Sequence, residues 1–116
     1  MNKVLVMLAN GFEEVEALTV VDYLRRTGIE VKMVSTEKGL EVEGAHGIKV
    51  LGDLMIDDIK APLNYRGIFI PGGLPGATNL RDDSRVTDLV KTLADGGKMI
   101  ASICAGPIVL CKAGVI

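Results

Sequence analysis

A cysteine between small residues is the clearest candidate for chemistry in this sequence. The segment from Ala101 to Pro107 reads ASICAGP, with an apolar run leading into Cys104. Small neighbours at this spacing are typical of a nucleophile elbow, where a strand turns sharply into a helix. The helix N-terminus carries partial positive charge, which favours thiolate over thiol. The alternative that the residues leave open is a buried, inert cysteine in a tightly packed turn.

Two other stretches are predicted to end at the same edge of the sheet. Gly72 and Gly73 follow a short apolar run, and their backbone N–H groups suit an oxyanion hole, although a plain turn is an equal alternative. Glu13, Glu14 and Glu16 form the first turn of a predicted helix. We expect Glu13 and Glu16 to share a face, with Glu14 turned away from it and Glu16 pointing toward the sheet. Ligand sites of open α/β sheets lie at this carboxyl edge.

The remaining candidate groups favour no metal and no cofactor. His46 is the only histidine, and its glycine-rich surroundings favour a surface or interface position over a catalytic one. One histidine, two cysteines and scattered carboxylates show no metal-ligand spacing. No phosphate-binding loop is present. Cys104 and Cys111 are too far apart along a helix for a disulfide, so we expect free thiols in a reducing compartment.

Predicted strands and helices alternate along the chain, and most of these candidate groups lie where they meet. Apolar runs predict strands over 3–9, 29–35, 67–70 and 98–103, and helical spacing predicts helices over 13–27, 83–94 and 105–112. We also expect a small hairpin within 36–52 and a short helix over 55–59. This alternation predicts an open, doubly wound, mostly parallel sheet with helices on both faces, a flavodoxin-like three-layer sandwich.

Composition narrows the possible partners and the location. The chain has 116 residues, 48% of them hydrophobic and 3% aromatic, which suits one domain over 1–116 with an aliphatic core. Its net charge of −2 and lack of a basic patch argue against nucleic acid. The first apolar run is too short for a membrane span or a secretory signal, so we expect no membrane association and a cytoplasmic location. The apolar residues 113–116 lead us to expect a domain lacking its C-terminal part.

Taken together, the motifs resemble the DJ-1/ThiJ/PfpI superfamily, and its DJ-1/ThiJ branch in particular. The matching segments are 9–16 (ANGFEEVE), 22–28 (DYLRRTG), 71–73 (PGG) and 103–107 (ICAGP). The resemblance implies that Cys104 is an oxidisable nucleophile and that a protonated Glu16 carboxyl hydrogen-bonds its sulfur. It further implies a small-molecule or oxyanion pocket at Gly73 and the Ala105 backbone.

The resemblance also implies an assembly and a set of activities. Members are expected to form homodimers, which places Glu13, Arg26 and His46 near an interface. The implied activity is that of a glutathione-independent glyoxalase or deglycase acting on small carbonyl compounds. The alternatives are a redox sensor whose Cys104 oxidises to sulfinate, a PfpI-type peptidase, and a thiamine-related role. Relatives continue past position 116 and carry a histidine near the cysteine, and no residue here takes its place.

Overall fold

The computed structural model describes residues 2–116, which form seven strands and four α-helices. The strands are β1 (Lys3–Leu8), β2 (Glu30–Ser35), β3 (Glu41–Glu43), β4 (Lys49–Leu51), β5 (Leu54–Met55), β6 (Gly67–Ile70) and β7 (Met99–Ser102). The helices are α1 (Glu14–Arg26), α2 (Gly76–Arg81), α3 (Ser84–Asp95) and α4 (Pro107–Ala113). Short 3-10 turns cover Ile56–Asp58 and Pro62–Asn64.

Five of the strands form one parallel sheet in the order β5-β2-β1-β6-β7. Strand β1 lies at its centre, where continuous apolar sequence is needed because both faces are covered. Its side chains alternate between two cores. Leu5 and Met7 pack with α2, α3 and α4, whereas Val6 and Leu8 pack with α1. The predicted parallel sheet with helices on both faces is therefore confirmed.

The long helices begin and end close to the predicted residues. Helix α1 starts after Glu13, whose carboxylate accepts a hydrogen bond from the Val15 N–H at 3.2 Å. Helix α3 starts after Asp83, which caps it in the same way through the Arg85 N–H. Such caps satisfy N–H groups that lack a partner within the helix. The predicted helices over 13–27 and 83–94 are confirmed, and each of their ends differs from the prediction by one residue.

Shorter elements depart from the sequence-based expectations. The segment predicted as a helix over 55–59 is instead the short strand β5, which adds to the sheet beside β2, followed by a 3-10 turn. Helix α2 was missed, because its short sequence begins with glycine and has little helical pattern. Helix α4 begins at Pro107 and not at Ala105, since Cys104 to Gly106 form the turn that precedes it.

The small hairpin predicted within 36–52 is confirmed. Strands β3 and β4 are antiparallel, and Val42 opposite Val50 is their central pair. Val42 is fully buried in the core beneath α1, so the hairpin is packed against the domain.

Strand β7 is less buried than its apolar sequence predicts. It lies at the edge of the sheet, where β6 is its one neighbour among the described strands. Met99 is 56% exposed and Ile103, just after the strand, is 45% exposed. An apolar sequence predicts that a strand is suited to burial. It does not predict whether another strand or helix packs against it.

Candidate functional site

Cys104 lies in the sharp turn between β7 and α4. Its φ is +57°, and it is the one non-glycine residue within 2–116 with a positive φ. This conformation costs an L-residue roughly 1–2 kcal/mol, and such strain is typically retained at functional sites. The turn is closed by a 2.8 Å hydrogen bond from the Gly106 N–H to the Ile103 carbonyl. A side chain at Gly106 would collide with the Ile70 and Ile103 carbonyls, which explains the small residue there.

Both cysteines are exposed free thiols. They differ in backbone setting, because Cys111 lies within α4 whereas Cys104 lies in the strained turn before it. We therefore expect a difference in their reactivity to come from the local surroundings of Cys104.

Glu16 reaches the same place from α1. Its Oε1 accepts a hydrogen bond from the Gly72 N–H at 2.9 Å. A Cβ added at Gly72 would lie 2.6 Å from Glu16 Oε1 and 2.9 Å from Cys104 Cβ. Gly72 is thus the spacer between the carboxylate and the cysteine. Within the described residues the Glu16 carboxylate bonds to this backbone group, and no hydrogen bond joins it to the Cys104 thiol.

The three glycine and alanine positions singled out from the sequence have different surroundings. The Gly72 N–H is occupied by Glu16. Gly73 has a φ of +95°, and a side chain there would collide with the backbone at Glu13. Both the backbone conformation and the lack of space therefore favour glycine. The N–H groups of Gly73 and Ala105 donate to no acceptor within residues 2–116. Two backbone donors, one directly after Cys104 and one directly after Gly72, therefore have no acceptor within these residues.

Glu14 is a buried acidic residue that was not among the candidates from the sequence. It is 4% exposed and lies under the turn of the hairpin. Its Oε2 accepts the N–H groups of His46 (2.8 Å) and Ile48 (3.2 Å), and its Oε1 contacts His46 Nδ1 at 2.9 Å. Gly44 permits this approach, because a Cβ there would overlap the Glu14 carboxyl group. Glu14, the first residue of α1, is buried because the hairpin, which is distant in sequence, packs over it.

The pKa values of this pair reflect their contact. Burial opposes ionisation of Glu14, but the hydrogen bonds from His46 and Ile48 outweigh it and lower its pKa from 4.5 to about 2. The hydrogen bond to Glu14, with the nearby charge of Glu13, raises the pKa of His46 above 6.5. The pair is therefore an anionic carboxylate against a ring that readily accepts a proton.

Glu13, Glu14 and His46 also form a group of potential metal ligands. One ligand atom from each lies within 4.8 Å of the other two. No local pattern predicts this grouping, since the histidine is more than thirty residues from the carboxylates. Arg26, the other predicted interface residue, lies at the far end of α1, where its Nε bonds Asp22 at 3.0 Å.

Two depressions mark the surface. An open cleft of about 390 Å³ lies between the first loop, the hairpin and the segment after Gly73, and its lining includes Asn10, Gly11, Glu43, Ala45, Leu74 and Pro75. An apolar groove of about 240 Å³ lies on the α1 side of the sheet, and its lining includes Val20, Leu24, Ile68, Phe69, Met99 and Ala101. Across residues 2–116, no helix has the length and apolar character needed to span a bilayer.

Comparison with known proteins agrees with the resemblance of the motifs. The model of the DJ-1/PfpI family matches residues 2–116. The chain belongs to the DJ-1/PfpI family. Among family relatives, Protein dj-1beta of Drosophila melanogaster is 37% identical over 111 residues, covering 96% of this chain and 59% of the relative. Deglycase PfpI of Pyrococcus furiosus is 34% identical, with 98% of this chain and 67% of the relative covered.

The fold agrees with solved members of the DJ-1/PfpI family. The structure of oxidized Toxoplasma gondii DJ-1 is similar with a TM-score of 0.91 and 42% identity, covering 97% of this chain and 61% of that one. The coverage is unequal in most of these comparisons. The chain spans about 60% of the Drosophila relative and 24% of Protein DJ-1 homolog B of Arabidopsis thaliana.

Proposed function

We propose that this chain carries the thiol site of a protein that acts on small reactive carbonyl compounds, as a glutathione-independent glyoxalase or deglycase. The main support is the exposed Cys104, held at a φ of +57° and followed by the Ala105 N–H, which, like the N–H of Gly73, has no acceptor within residues 2–116. Strain and available donors together suit a nucleophile whose product carries negative charge on oxygen. The relatives named Deglycase PfpI and Deglycase TK1284 favour the same substrate class.

The proposed reaction starts when the Cys104 thiolate adds to the aldehyde carbon of a 2-oxoaldehyde. A sulfur–carbon bond forms, and the carbonyl electron pair moves to oxygen, which the N–H groups of Gly73 and Ala105 stabilise before it takes a proton. Glu16 then transfers a proton from the aldehyde carbon to the neighbouring carbon through an enediol, which yields a thioester. Water releases the 2-hydroxy acid and restores the thiol.

The test is lactate formation from methylglyoxal without glutathione. Cys104→Ser is expected to lower the rate at least about a hundredfold, because the nucleophile is lost. Cys111→Ser is the matched control, since it removes the other exposed thiol and should stay within about twofold. Full turnover by Cys104→Ser, or no turnover by the unaltered chain above the buffer rate, would contradict the proposal.

A second candidate is a redox sensor with little turnover. It is favoured by the similarity to the oxidized Toxoplasma gondii protein. Two peroxide molecules would each transfer one oxygen atom to the Cys104 sulfur and leave as water, giving a sulfinate. Mild peroxide followed by peptide mass spectrometry should then show oxidation of Cys104 well before Cys111. Equal oxidation of the two thiols would count against this role.

Peptide hydrolysis, as the PfpI branch suggests, ranks below both. Its cysteine needs a histidine as base, but His46 bonds Glu14. A thiamine-related role has no support from a phosphate-binding loop. We further propose a cytoplasmic location, because both cysteines are free thiols and such thiols persist in reducing compartments.

We propose a homodimer in which α1 pairs with α1. Glu13 and Arg26 lie at opposite ends of this helix, roughly 20 Å apart by its rise per residue. In an antiparallel two-fold pair, Arg26 of each copy would meet Glu13 of the other. Arg26→Glu should then shift the dimer toward monomer in sedimentation experiments, and adding Glu13→Arg should restore it. A dimer insensitive to both changes would contradict this interface.

A further inference from the structure

Glu13, Glu14 and His46 are not used by the proposed reaction. They come from two elements, the start of α1 and the turn between β3 and β4, and they present two oxygen donors and one nitrogen donor. A histidine with two carboxylates is a donor set that suits Zn²⁺, whereas Ca²⁺ and Mg²⁺ favour oxygen donors alone. We propose that these three side chains form a Zn²⁺ site that joins the hairpin to α1.

The distances are close to those a tetrahedral zinc ion requires. At ordinary zinc–ligand bond lengths two ligand atoms lie about 3.3 Å apart. Glu14 Oε1 lies 2.9 Å and Glu13 Oε1 3.8 Å from His46 Nδ1. Each of these two pairs therefore needs an adjustment of roughly half an ångström, and the ligand atoms of Glu13 and Glu14 lie within 4.8 Å of each other. The His46 side chain is 67% exposed, so it can move by this amount without disturbing the core.

The three ligands have complementary roles. Glu14 is buried and held in place by the backbone N–H groups of His46 and Ile48, which bond its Oε2 and leave Oε1 for the ion. Backbone bonds to the second oxygen are the kind of support that orients a ligating carboxylate. Because His46 is exposed, a water molecule could take the fourth coordination position of the zinc ion. Zinc would replace the proton shared between His46 Nδ1 and Glu14 Oε1, so its affinity should fall in acid.

The test uses the fact that His46 is the only histidine. In a chain without a histidine tag, its ring proton signals in the NMR spectrum report directly on binding at this position. Zn²⁺ should shift these signals and reach saturation at one equivalent. His46→Gln keeps a side chain able to hydrogen-bond Glu14 but removes the nitrogen ligand, so calorimetry should show at least a tenfold loss of zinc affinity. Ca²⁺ at the same concentration should not shift the ring signals.

Four results would overturn the proposal, the last of them in a variant without cysteines. The first is unchanged His46 signals at saturating zinc, and the second is equal zinc affinity in His46→Gln. The third is equally strong binding of Ca²⁺, which would indicate a non-specific acidic surface. The double variant Cys104→Ser, Cys111→Ser separates this site from the thiols, since it should bind zinc at His46 while failing in the methylglyoxal assay. Loss of the His46 response in that variant would assign the zinc to the cysteines instead.

Discussion

Gly72 is the residue on which the proposed thiol site depends most directly. It has no positive φ, so its backbone would accept any residue, and the need for glycine is one of space alone. The Glu16 carboxylate lies on one side of it and Cys104 on the other. A single methyl group at this position therefore tests whether the two side chains act as one site.

We predict that Gly72→Ala disrupts this arrangement. The new Cβ would lie 2.6 Å from Glu16 Oε1 and 3.0 Å from the Ala105 nitrogen, so the carboxylate or the turn must move. The expected loss of stability is about 1–3 kcal/mol, as for other overpacked positions. Alkylation of Cys104, followed by mass spectrometry, should change while that of Cys111 does not.

Gly39→Ala is the matched control for this substitution. No atom lies within 4 Å of a Cβ at Gly39, and its φ is not positive. This variant should keep the stability and the thiol reactivity of the unaltered chain. If Gly72→Ala behaved like Gly39→Ala, close contact at Gly72 would not govern the site.

The His46 ring gives a second prediction at the scale of the residue. Its pKa is raised in the folded chain by the hydrogen bond to Glu14 and the charge of Glu13. The stabilisation it contributes is therefore present below pH 6.5 and is lost as the pH rises through the folded-state pKa. His46→Gln should lower the melting temperature at pH 6, and the gap to the unaltered chain should narrow by pH 9. A gap that does not change with pH would contradict a charged contact.

Among the elements, the first turn of α1 has three separate contacts. Glu13 caps the helix, Glu14 holds the hairpin and Glu16 reaches Gly72 beside the cysteine. Glu14 ties the hairpin to this turn, since Gly44 lies against its carboxyl group. The Ala45 N–H adds a 2.8 Å hydrogen bond to the Phe12 carbonyl just before the turn. The turn thus connects the proposed zinc site to the proposed thiol site.

We predict that Gly44→Ala loosens the hairpin and leaves the sheet intact. A Cβ at Gly44 would overlap the Glu14 carboxyl group and displace it from the hairpin N–H groups. In hydrogen exchange, the amides of His46 and Ile48 should lose protection, because both donate to Glu14. The amides of β1 should exchange as before. Equal loss of protection in both regions would mean that the hairpin is not a separate unit.

At the scale of the whole molecule, the two faces of the sheet are covered unequally. Helices α2, α3 and α4 contribute to the core on one face, while α1 is the one helix contributing to the core on the other within residues 2–116. The apolar groove lies beside α1, with Met99 56% exposed at its rim. Apolar surface of this kind favours association.

We predict that the 116-residue chain self-associates through this groove. Met99→Lys should lower the light-scattering mass at high concentration toward that of the α1-paired dimer, because a charge at the rim opposes burial of the groove. Leu74→Lys is the matched control, since Leu74 is 64% exposed and does not line the groove. A mass that never exceeds that of the dimer at any concentration, or equal effects of the two substitutions, would contradict the prediction.

The sheet, the long helices and the turn at Cys104 could all be predicted from the amino-acid sequence. These features rest on local patterns. Continuous apolar runs mark strands covered on both faces, helical spacing marks α1 and α3, and small residues around Cys104 mark a tight turn. It also placed Glu16 and Gly72 at the same edge, because the carboxyl ends of parallel strands meet there.

Tertiary structure alone decided the contacts between distant segments. Glu14 follows the same helical pattern whether it is solvated or buried, and only the hairpin placed over it settles that it is buried. His46 meets Glu13 and Glu14 for the same reason. The exposure of Met99 depends on which strands and helices are neighbours of β7, a property of the assembled sheet. Local sequence sets the elements, whereas burial and side-chain pairing arise from the way the elements pack.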